Sequence, residues 1–355
     1  MRVGITCRDE SRVWNNGLHQ NAYHLFCLYK KLGVDVSLVS QLPDSKKIFD
    51  HKIETLTLQS INNFDIILEV SESIDDILYQ KFIDAGKKII SINYGNVLMT
   101  FYEDLVMDKK SSFCFSRPGV ENWISPHFYF SSGIMNVTSK KDAKICPYIW
   151  SPEFLNKASE RSGLDIFRAA EELDITKIGI LEPNLSFIKN CIYPILGCEL
   201  LERSEEQKIS EVLVFNFDKM KESKRFLEII KDFDLFINKK ISFESRYSFP
   251  TLIGKKYFGT IVSNNVYNDL NYLTLESLYL NIPIVHNSYF CKEAGYFYEN
   301  AFDAKEIKNK LKEAIESHHD NKKDYAIKSQ EVLWKFSPEN ELNIERYEFL
   351  LKSII

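Results

Sequence analysis

The sequence predicts an α/β protein made of two doubly wound, Rossmann-like domains. Its 355 residues, 45% of them hydrophobic, are enough to bury two cores of ordinary size. Short apolar runs alternate with segments of helical periodicity, as in parallel sheets whose strands are joined by helices. The order of strand, polar tip and helix found at the N-terminus begins again at Lys177. We therefore expect one domain over residues 1–150 and a second over residues 151–337.

The first strand and helix enclose a polar loop. Arg2–Thr6 is predicted to be a strand and Gly17–Leu32 an amphipathic helix, with residues 7–16 between them. In doubly wound sheets, ligands bind at such a strand end. Asn16 can cap the helix and His19 lies on its first turn, although ordinary capping and surface roles would explain both equally well. The loop has no GxGxxG fingerprint, which argues against an NAD enzyme.

Four more strands and a helix complete the first predicted sheet. The strands are Val34–Val39, Ile53–Leu58, Asp65–Val70 and Lys88–Asn93, and the helix lies near Ile74–Ala85. The last strand ends in a polar tip with Asn93, Tyr94 and Asn96, for which a simple turn is the commoner explanation. The segment 146–154, rich in proline and aromatic residues, is interpreted as the crossing between domains.

The second half repeats this pattern. The predicted elements are a polar helix at Glu160–Leu173, strands at Lys177–Leu181, Glu211–Phe215 and Gly259–Val262, and a helix at Phe217–Ile230. The tip that contains Asn184 is predicted to open a helix that includes Lys189. Free N–H groups and a lysine at a helix N-terminus suit a diphosphate, although a lysine on a solvated face is commoner. Arg246 lies in a polar segment, Ser242–Lys256.

The stretch from Asn264 to Ser288 is predicted to form a polar loop, an apolar helix and a short strand. Asn268, Asp269 and Asn271 can cap the helix, and the strand Ile282–Val285 delivers His286, Asn287 and Ser288 at its end. The helix is apolar nearly all round and is therefore expected to be buried. Glu276 is the one carboxylate inside it, which is costly unless donors such as sugar hydroxyls bind it. An interaction with the helix dipole is an equally good explanation of Glu276.

The C-terminal part is predicted to be helical. Asp303–Ser317 and Lys323–Lys335 show helical periodicity, and Pro338 can open a last helix through Leu351. His318, His319 and Asp320 are interpreted as an exposed turn. Because no third ligand follows at a suitable spacing, we expect no metal site there.

Charge and cysteine content restrict the class of protein. The formal charge of −5 gives no basic footprint for tight nucleic-acid binding, so a nucleic-acid partner is disfavoured. Seven scattered cysteines without a CxxC spacing indicate free thiols in a reducing compartment, and we expect a cytoplasmic location. No apolar run is long enough to span a bilayer, and no signal-peptide pattern is present.

Several motifs resemble GT-B glycosyltransferases. The strings WNNGLHQNA, CPYIWSPEFL, GILEPNLSFIKNCIYPIL and LNYLTLESLYLNIPIVHNS resemble an uncharacterised GT-B-like family of bacteria and phages over most of the chain. The resemblance implies two Rossmann-like domains that face a central cleft, with a C-terminal helix (338–355) that returns to the N-terminal domain. It also implies that Glu276 holds the donor ribose. The second acid of retaining enzymes, eight positions earlier, is here Asn268, which puts the usual retaining mechanism in doubt.

The resemblance assigns roles to the candidate residues. His19, Asn16 and Asp269 are the catalytic candidates, with His19 as the acceptor base, and Asn93, Tyr94 and Asn96 are the acceptor-side candidates. The donor candidates share a position at a strand or helix end of the second domain, apart from Glu276 inside its helix: Glu276, Lys189, Asn184, Asn268, Asn271, Arg246, His286, Asn287 and Ser288.

The function predicted is transfer of a sugar from a UDP- or GDP-linked donor to a glycan or surface polysaccharide, without a metal or a further cofactor. Two alternatives stay open. One is a phage-type DNA-base glycosyltransferase, which has the same fold. The other is a non-catalytic protein that binds sugar nucleotides or glycans, which the absence of an acid at Asn268 keeps open.

Overall fold

The computed structural model describes residues 1–8, 14, 17–42, 47–107, 117–218 and 220–354. The chain forms two compact units. The first consists of Met1–Ser151 together with Phe336–Ile355, and the second of Pro152–Lys335.

The sheet of the first unit is parallel except for one short hairpin. Its strands are β1 Arg2–Thr6, β2 Asp35–Ser40, β3 Lys47–Ile48, β4 His51–Thr55, β5 Ile66–Glu69, β6 Lys88–Asn93, β7 Glu121–Ile124 and β8 Lys144–Ile145. They lie in the order β3-β4-β2-β1-β5-β6-β7-β8, and only β3 and β4 pair antiparallel. The order reverses between β1 and β5, so the carboxyl ends of these two strands mark the switch point of the sheet.

In the described part of the first unit, four α-helices connect these strands: α1 Gly17–Lys31, α2 Asp76–Asp84, α3 Val97–Val106 and α4 Ser132–Ser139. Sequence capping signals explain two of their starts. Asp75 accepts the Leu78 N–H at the start of α2, and Asn96 accepts the Met99 N–H at the start of α3.

The sheet of the second unit is entirely parallel. Its strands are β9 Lys177–Ile180, β10 Glu211–Val214, β11 Ile241–Phe243, β12 Thr260–Val262, β13 Ile284–His286 and β14 Tyr296–Phe297. They lie in the order β11-β10-β9-β12-β13-β14, which is the 3-2-1-4-5-6 order of a dinucleotide-type Rossmann sheet. The switch point lies between β9 and β12.

Nine helices of the described second unit surround that sheet: α5 Glu153–Ser162, α6 Ile166–Glu171, α7 Ile192–Ser204, α8 Lys224–Ile230, α9 Asp234–Ile237, α10 Phe249–Gly254, α11 Tyr272–Tyr279, α12 Ala304–Ser317 and α13 Lys322–Phe336. Helices α7 and α12 pack closely enough that a Cβ on Gly197 would lie 2.3 Å from the Ile307 side chain.

The last helix, α14 (Glu341–Lys352), belongs to the first unit. Its Tyr347 is fully buried, donates a hydrogen bond to the Pro147 carbonyl and lies against the hydroxyl of Tyr94. The predicted return of the C-terminal helix to the N-terminal domain is therefore confirmed, as is the prediction of two Rossmann-like sheets.

Three of the predicted helices have different starts or ends in the structure. The segment Glu160–Leu173 is divided, because Gly163 adopts φ +66° and ends α5. Helix α8 begins only at Lys224, where Ser223 caps it, and the final helix begins after Asn340 rather than at Pro338. The interpretation of residues 318–320 as an exposed turn is wrong for His318, which is buried against Tyr296 and Tyr325.

Candidate functional site

The carboxyl ends of β9 and β12 are joined by one buried carboxylate. Glu182 follows β9, and its Oε1 accepts hydrogen bonds from the Ser263 hydroxyl at 2.6 Å and from the Asn264 N–H at 3.0 Å. Both donors follow β12. In sheets of this strand order, ligands bind outside the carboxyl ends at the switch point, so these residues define the floor of a candidate site.

Burial gives this carboxylate unusual properties. Glu182 is 1% exposed, and none of the described residues donates a hydrogen bond to its Oε2. Desolvation raises the pKa of Glu182, while the Ser263 hydrogen bond and the positive charge of Lys189 oppose that rise. A carboxylate that is desolvated in this way points to a role beyond packing.

Lys189 directly follows a turn and does not lie in a helix. The predicted helix that includes Lys189 is wrong: α7 begins at Ile192, and Lys189 instead forms an isolated bridge with Asn265. Its Nζ donates to Asn271 Oδ1 at 3.2 Å, at the start of α11. Burial lowers the pKa of Lys189, and the negative charge of Glu182 opposes that shift.

Asparagine side chains connect the strand ends around Lys189. Asn287 pairs with the backbone of Asn265 through two hydrogen bonds, of 2.8 and 2.7 Å. Asn265 Oδ1 in turn accepts from Asn268 at 3.1 Å and from Asn271 at 3.5 Å. At position 268 the side chain acts as a donor, which an ionised carboxylate could not do. The amide at this position therefore has a structural reason.

Glu276 lies on the open face of α11. The helix buries Thr274, Leu275, Ser277 and Leu278, whereas Glu276 is partly exposed, so the expectation of an all-round buried helix is wrong for this face. Within the described part of the chain, no side chain donates a hydrogen bond or forms an ion pair with its carboxylate. Desolvation raises the pKa of Glu276 to about 8. The carboxylate is thus crowded by protein and still available to a donor from solution.

Asp269 lies between the asparagine network and α11. Its side chain is partly exposed, and desolvation raises its pKa. Its backbone carbonyl accepts the Phe290 N–H, which fixes the main chain at this point.

Three other donor candidates already have hydrogen-bond partners within the second unit. His286 Nε2 contacts the Ala294 carbonyl at 2.9 Å and its Nδ1 accepts the Ser288 N–H, while burial lowers its pKa to about 4. The ring is therefore neutral and satisfied. Ser288 lies 3.1 Å from the Thr274 hydroxyl, and Asn184 caps the segment before α7 by accepting the Cys191 N–H at 2.8 Å.

Arg246 is exposed in the segment after β11, and its backbone hydrogen-bonds the Asp218 carboxylate. Among the described residues, Arg246 forms no hydrogen bond or ion pair with Lys189 or Glu276. Its assignment to the donor site stays a prediction.

The candidates of the first unit have mostly structural partners. Asn93 donates to the carbonyls of Ser91 and Trp123, Tyr94 contacts Tyr347, and Asn96 caps α3. His19 is buried on the first turn of α1. Asn16 lies outside the described residues. The acceptor-side and catalytic roles of these five residues stay predictions.

Sequence reasoning did not assign a role to Glu182, Asn264 or Asn265. A signal was present, because Glu182 is an acidic residue placed directly after a buried apolar strand. Its partners could not be read from the sequence, since Ser263 and Asn264 are 81 and 82 positions away.

The described residues were also compared with the requirements of a membrane-spanning helix and of a metal site. No helix among them is both long and apolar enough to cross a bilayer. They contain no group of three or more His, Cys, Asp or Glu side chains suited to a metal ion.

Solved structures show similar folds. A glycosyltransferase from Rickettsia africae ESF-5 is similar with a TM-score of 0.60 and 13% identity, over 99% of this chain and 98% of that chain. Anabaena Alr3699/HepE in complex with UDP-glucose gives a TM-score of 0.58 and 11% identity, over 99% and 100%. An alpha-glucosyltransferase in complex with UDP and a 13-mer DNA gives 0.60 and 13%, over 99% and 100%. A search of the curated proteins finds no match.

The two Rossmann-like sheets and these likenesses define a protein of the GT-B fold class. Within that class, the chain belongs to the family described as protein of unknown function DUF2827, whose model matches residues 2–351.

Proposed function

We propose that this protein is a glycosyltransferase that uses a nucleotide-activated sugar. The observation that carries the proposal is Glu276, an acidic residue with a raised pKa and no protein partner among the described residues, on the helix whose start binds Lys189. A desolvated carboxylate without donors is unfavourable in the empty protein, and two vicinal hydroxyls of a ribose would supply the missing hydrogen bonds.

Lys189 and the start of α11 are proposed to bind the diphosphate. The Lys189 ammonium donates to Asn271, the residue that precedes α11, and the side chain of Asn271 does not cap that helix. The first N–H groups of α11 and the ammonium therefore present positive potential side by side. Both would stabilise the charge that develops on a leaving diphosphate.

The acceptor is proposed to be a hydroxyl of a glycan or surface polysaccharide, bound by the first unit. The net charge of −5 supports a glycan over DNA, because DNA binding draws most of its affinity from cationic contacts with phosphates. His19 and Asp269 are the candidate groups for acid–base chemistry. The donor nucleotide is proposed to be UDP or GDP, and the named complexes of the similar proteins favour testing UDP first.

Replacing Glu276 with alanine is expected to weaken nucleotide-sugar binding about tenfold or more, or roughly 1.4 kcal/mol, because the ribose loses a charged acceptor. Calorimetry with UDP-glucose, UDP-galactose and GDP-mannose would measure it. Glu331→Ala is the matched control, since Glu331 is exposed on α13 of the same unit.

Equal affinities of the Glu276→Ala and control variants would remove Glu276 from the donor site. If the unaltered protein binds none of the nucleotide sugars, the proposed function itself fails. Once a donor is found, transfer assays with bacterial glycans and with hydroxymethylated DNA would separate the two acceptor classes. Donor binding without transfer to any acceptor would favour the non-catalytic alternative.

A further inference from the structure

We propose that Glu182 is a positioning residue of the diphosphate site, which holds the strand ends that carry Lys189 and acts on its ammonium as an anion. The proposal rests on the proposed function above and adds a residue to that site. Glu182 does not touch the ligand, because Oε2 is fully enclosed and Oε1 is occupied by Ser263 and Asn264.

The geometry links Glu182 to Lys189 through the main chain. The Glu182 carboxylate binds the N–H of Asn264, and the next residue, Asn265, forms the isolated bridge with Lys189. The carbonyl of Ile188 accepts the Val266 N–H at 2.8 Å, which continues the same pairing. A single carboxylate therefore fixes the segment against which Lys189 is held.

The charges support the same link. Among the described residues, Asn271 Oδ1 is the hydrogen-bond acceptor of the Lys189 ammonium, and Glu182 is the anion that acts on it. Burial lowers the pKa of Lys189, which disfavours the charged form that attracts a diphosphate, and the negative charge of Glu182 opposes this shift.

The negative charge of Glu182 also acts on two other titratable groups, Cys191 and Tyr298. Burial raises the pKa of Cys191 to about 12 and the pKa of Tyr298 well above its ordinary value, so both are neutral around pH 7 to 9. Glu276 and Asp269 also titrate near this site, with raised pKa values. Both residues are unchanged in all the variants compared, so their effect on the pH dependence of affinity is the same in each.

The test is the pH dependence of UDP affinity in Glu182→Gln. Glutamine keeps an oxygen for Ser263 and Asn264 but removes the negative charge. We expect affinity at pH 6.5 within about threefold of that of the unaltered protein, because acidic pH favours the Lys189 ammonium in both proteins. The loss of affinity at alkaline pH is expected to begin at a lower pH in the variant, where the charge that opposes the lowered pKa of Lys189 is gone, so that binding there is more than about threefold weaker.

Two control variants test whether the change in pH profile comes from the loss of the Glu182 charge near Lys189. In Lys189→Arg the guanidinium stays charged at every pH used, so adding Glu182→Gln to it should leave the pH profile unchanged. Glu199→Gln is the matched buried carboxylate: Glu199 is 3% exposed in the same unit and accepts the backbone N–H groups of Asp234 and Leu235. It should leave the profile of the unaltered protein in place.

A folded Glu182→Gln variant whose pH profile matches that of the unaltered protein would overturn the proposal. If that variant does not fold, Glu182→Asp is tested; its shorter side chain withdraws the charge from Lys189 and should shift the profile in the same direction. Failure of both variants to fold would show a purely structural residue and would also overturn it. Absence of UDP and GDP binding in the unaltered protein would instead contradict the proposed function.

Discussion

Raising the pH from 5 to 8.5 is expected to cost the second unit up to about 4 kcal/mol of its free energy of unfolding through Glu276 alone. Its pKa is about 8 in the folded protein, against an ordinary value of 4.5. Between these values the unfolded chain loses the proton while the folded protein retains it. The stability that Glu276 provides is therefore complete below pH 4.5 and is lost as the pH rises to 8.

Urea unfolding of the unaltered protein and of Glu276→Gln at several pH values would measure this effect. The two free energies of unfolding should be similar at pH 5, and the variant should be clearly more stable at pH 8.5. Burial also raises the pKa of Glu69, to about 7, but Glu69 is the same in both proteins. Glu331→Gln should follow the unaltered protein. A difference between Glu276→Gln and the unaltered protein that does not change with pH would contradict the prediction.

The same residue predicts a proton release when a nucleotide binds. Ribose hydroxyls that donate to the Glu276 carboxylate favour its ionised form, so binding at pH 7 should release up to one proton. Calorimetry in two buffers of different ionisation enthalpy would count the proton, and Glu276→Gln should abolish the release. A carboxylate that only shapes the empty fold would release none.

Much of the fold could be predicted because its signals are local. The strand Lys88–Asn93 was predicted with the bounds that the structure gives it, and the first helix differs by one residue. Alternating apolar runs and capping residues are short-range features that the sequence shows directly. The repeated order of strand, tip and helix predicts two doubly wound sheets.

The sequence reveals some features of the candidate site but not others, for a physical reason. A lone carboxylate in an apolar helix identifies Glu276 as unusual, whereas its role at a donor site stays a prediction. Whether a polar side chain is already satisfied depends on residues far away in the sequence, which no local pattern reveals. His286 hydrogen-bonds with Ala294 and Ser288, and Asn93 donates to carbonyls that include that of Trp123, so the fold already supplies partners for both side chains.

The same limit explains Lys189 and Glu182. The sequence places Lys189 shortly after a strand, which predicts a helix position, but in the structure Lys189 forms isolated bridges with Ser186 and Asn265 instead. Glu182 lies in a predicted tip, and only the neighbouring strand shows that it binds Ser263 and Asn264. Tertiary pairing overrides local propensity at the place where the two halves of the second sheet meet.

Replacing Gly259 with alanine is expected to destabilise the second unit by more than about 3 kcal/mol and to leave little folded protein. A Cβ at this position would lie 2.3 Å from the backbone carbon and oxygen of Asp174 and 2.7 Å from the nitrogen of Ile175. Because these are main-chain atoms directly before β9, no side-chain rotation can relieve the contact. The start of β12 would have to move away from β9, and with it the strand end that carries Ser263.

Thermal unfolding and the yield of folded protein would measure the effect. Gly133→Ala is the control, because nothing lies within 4 Å of a Cβ there and the residue lies in α4. Alanine is the better helix former, so this variant should gain up to about 1 kcal/mol. An unchanged unfolding temperature for Gly259→Ala would mean that β9 and β12 can separate without loss. In that case the close approach of the two strands would not be what holds Glu182 against Ser263 and Asn264.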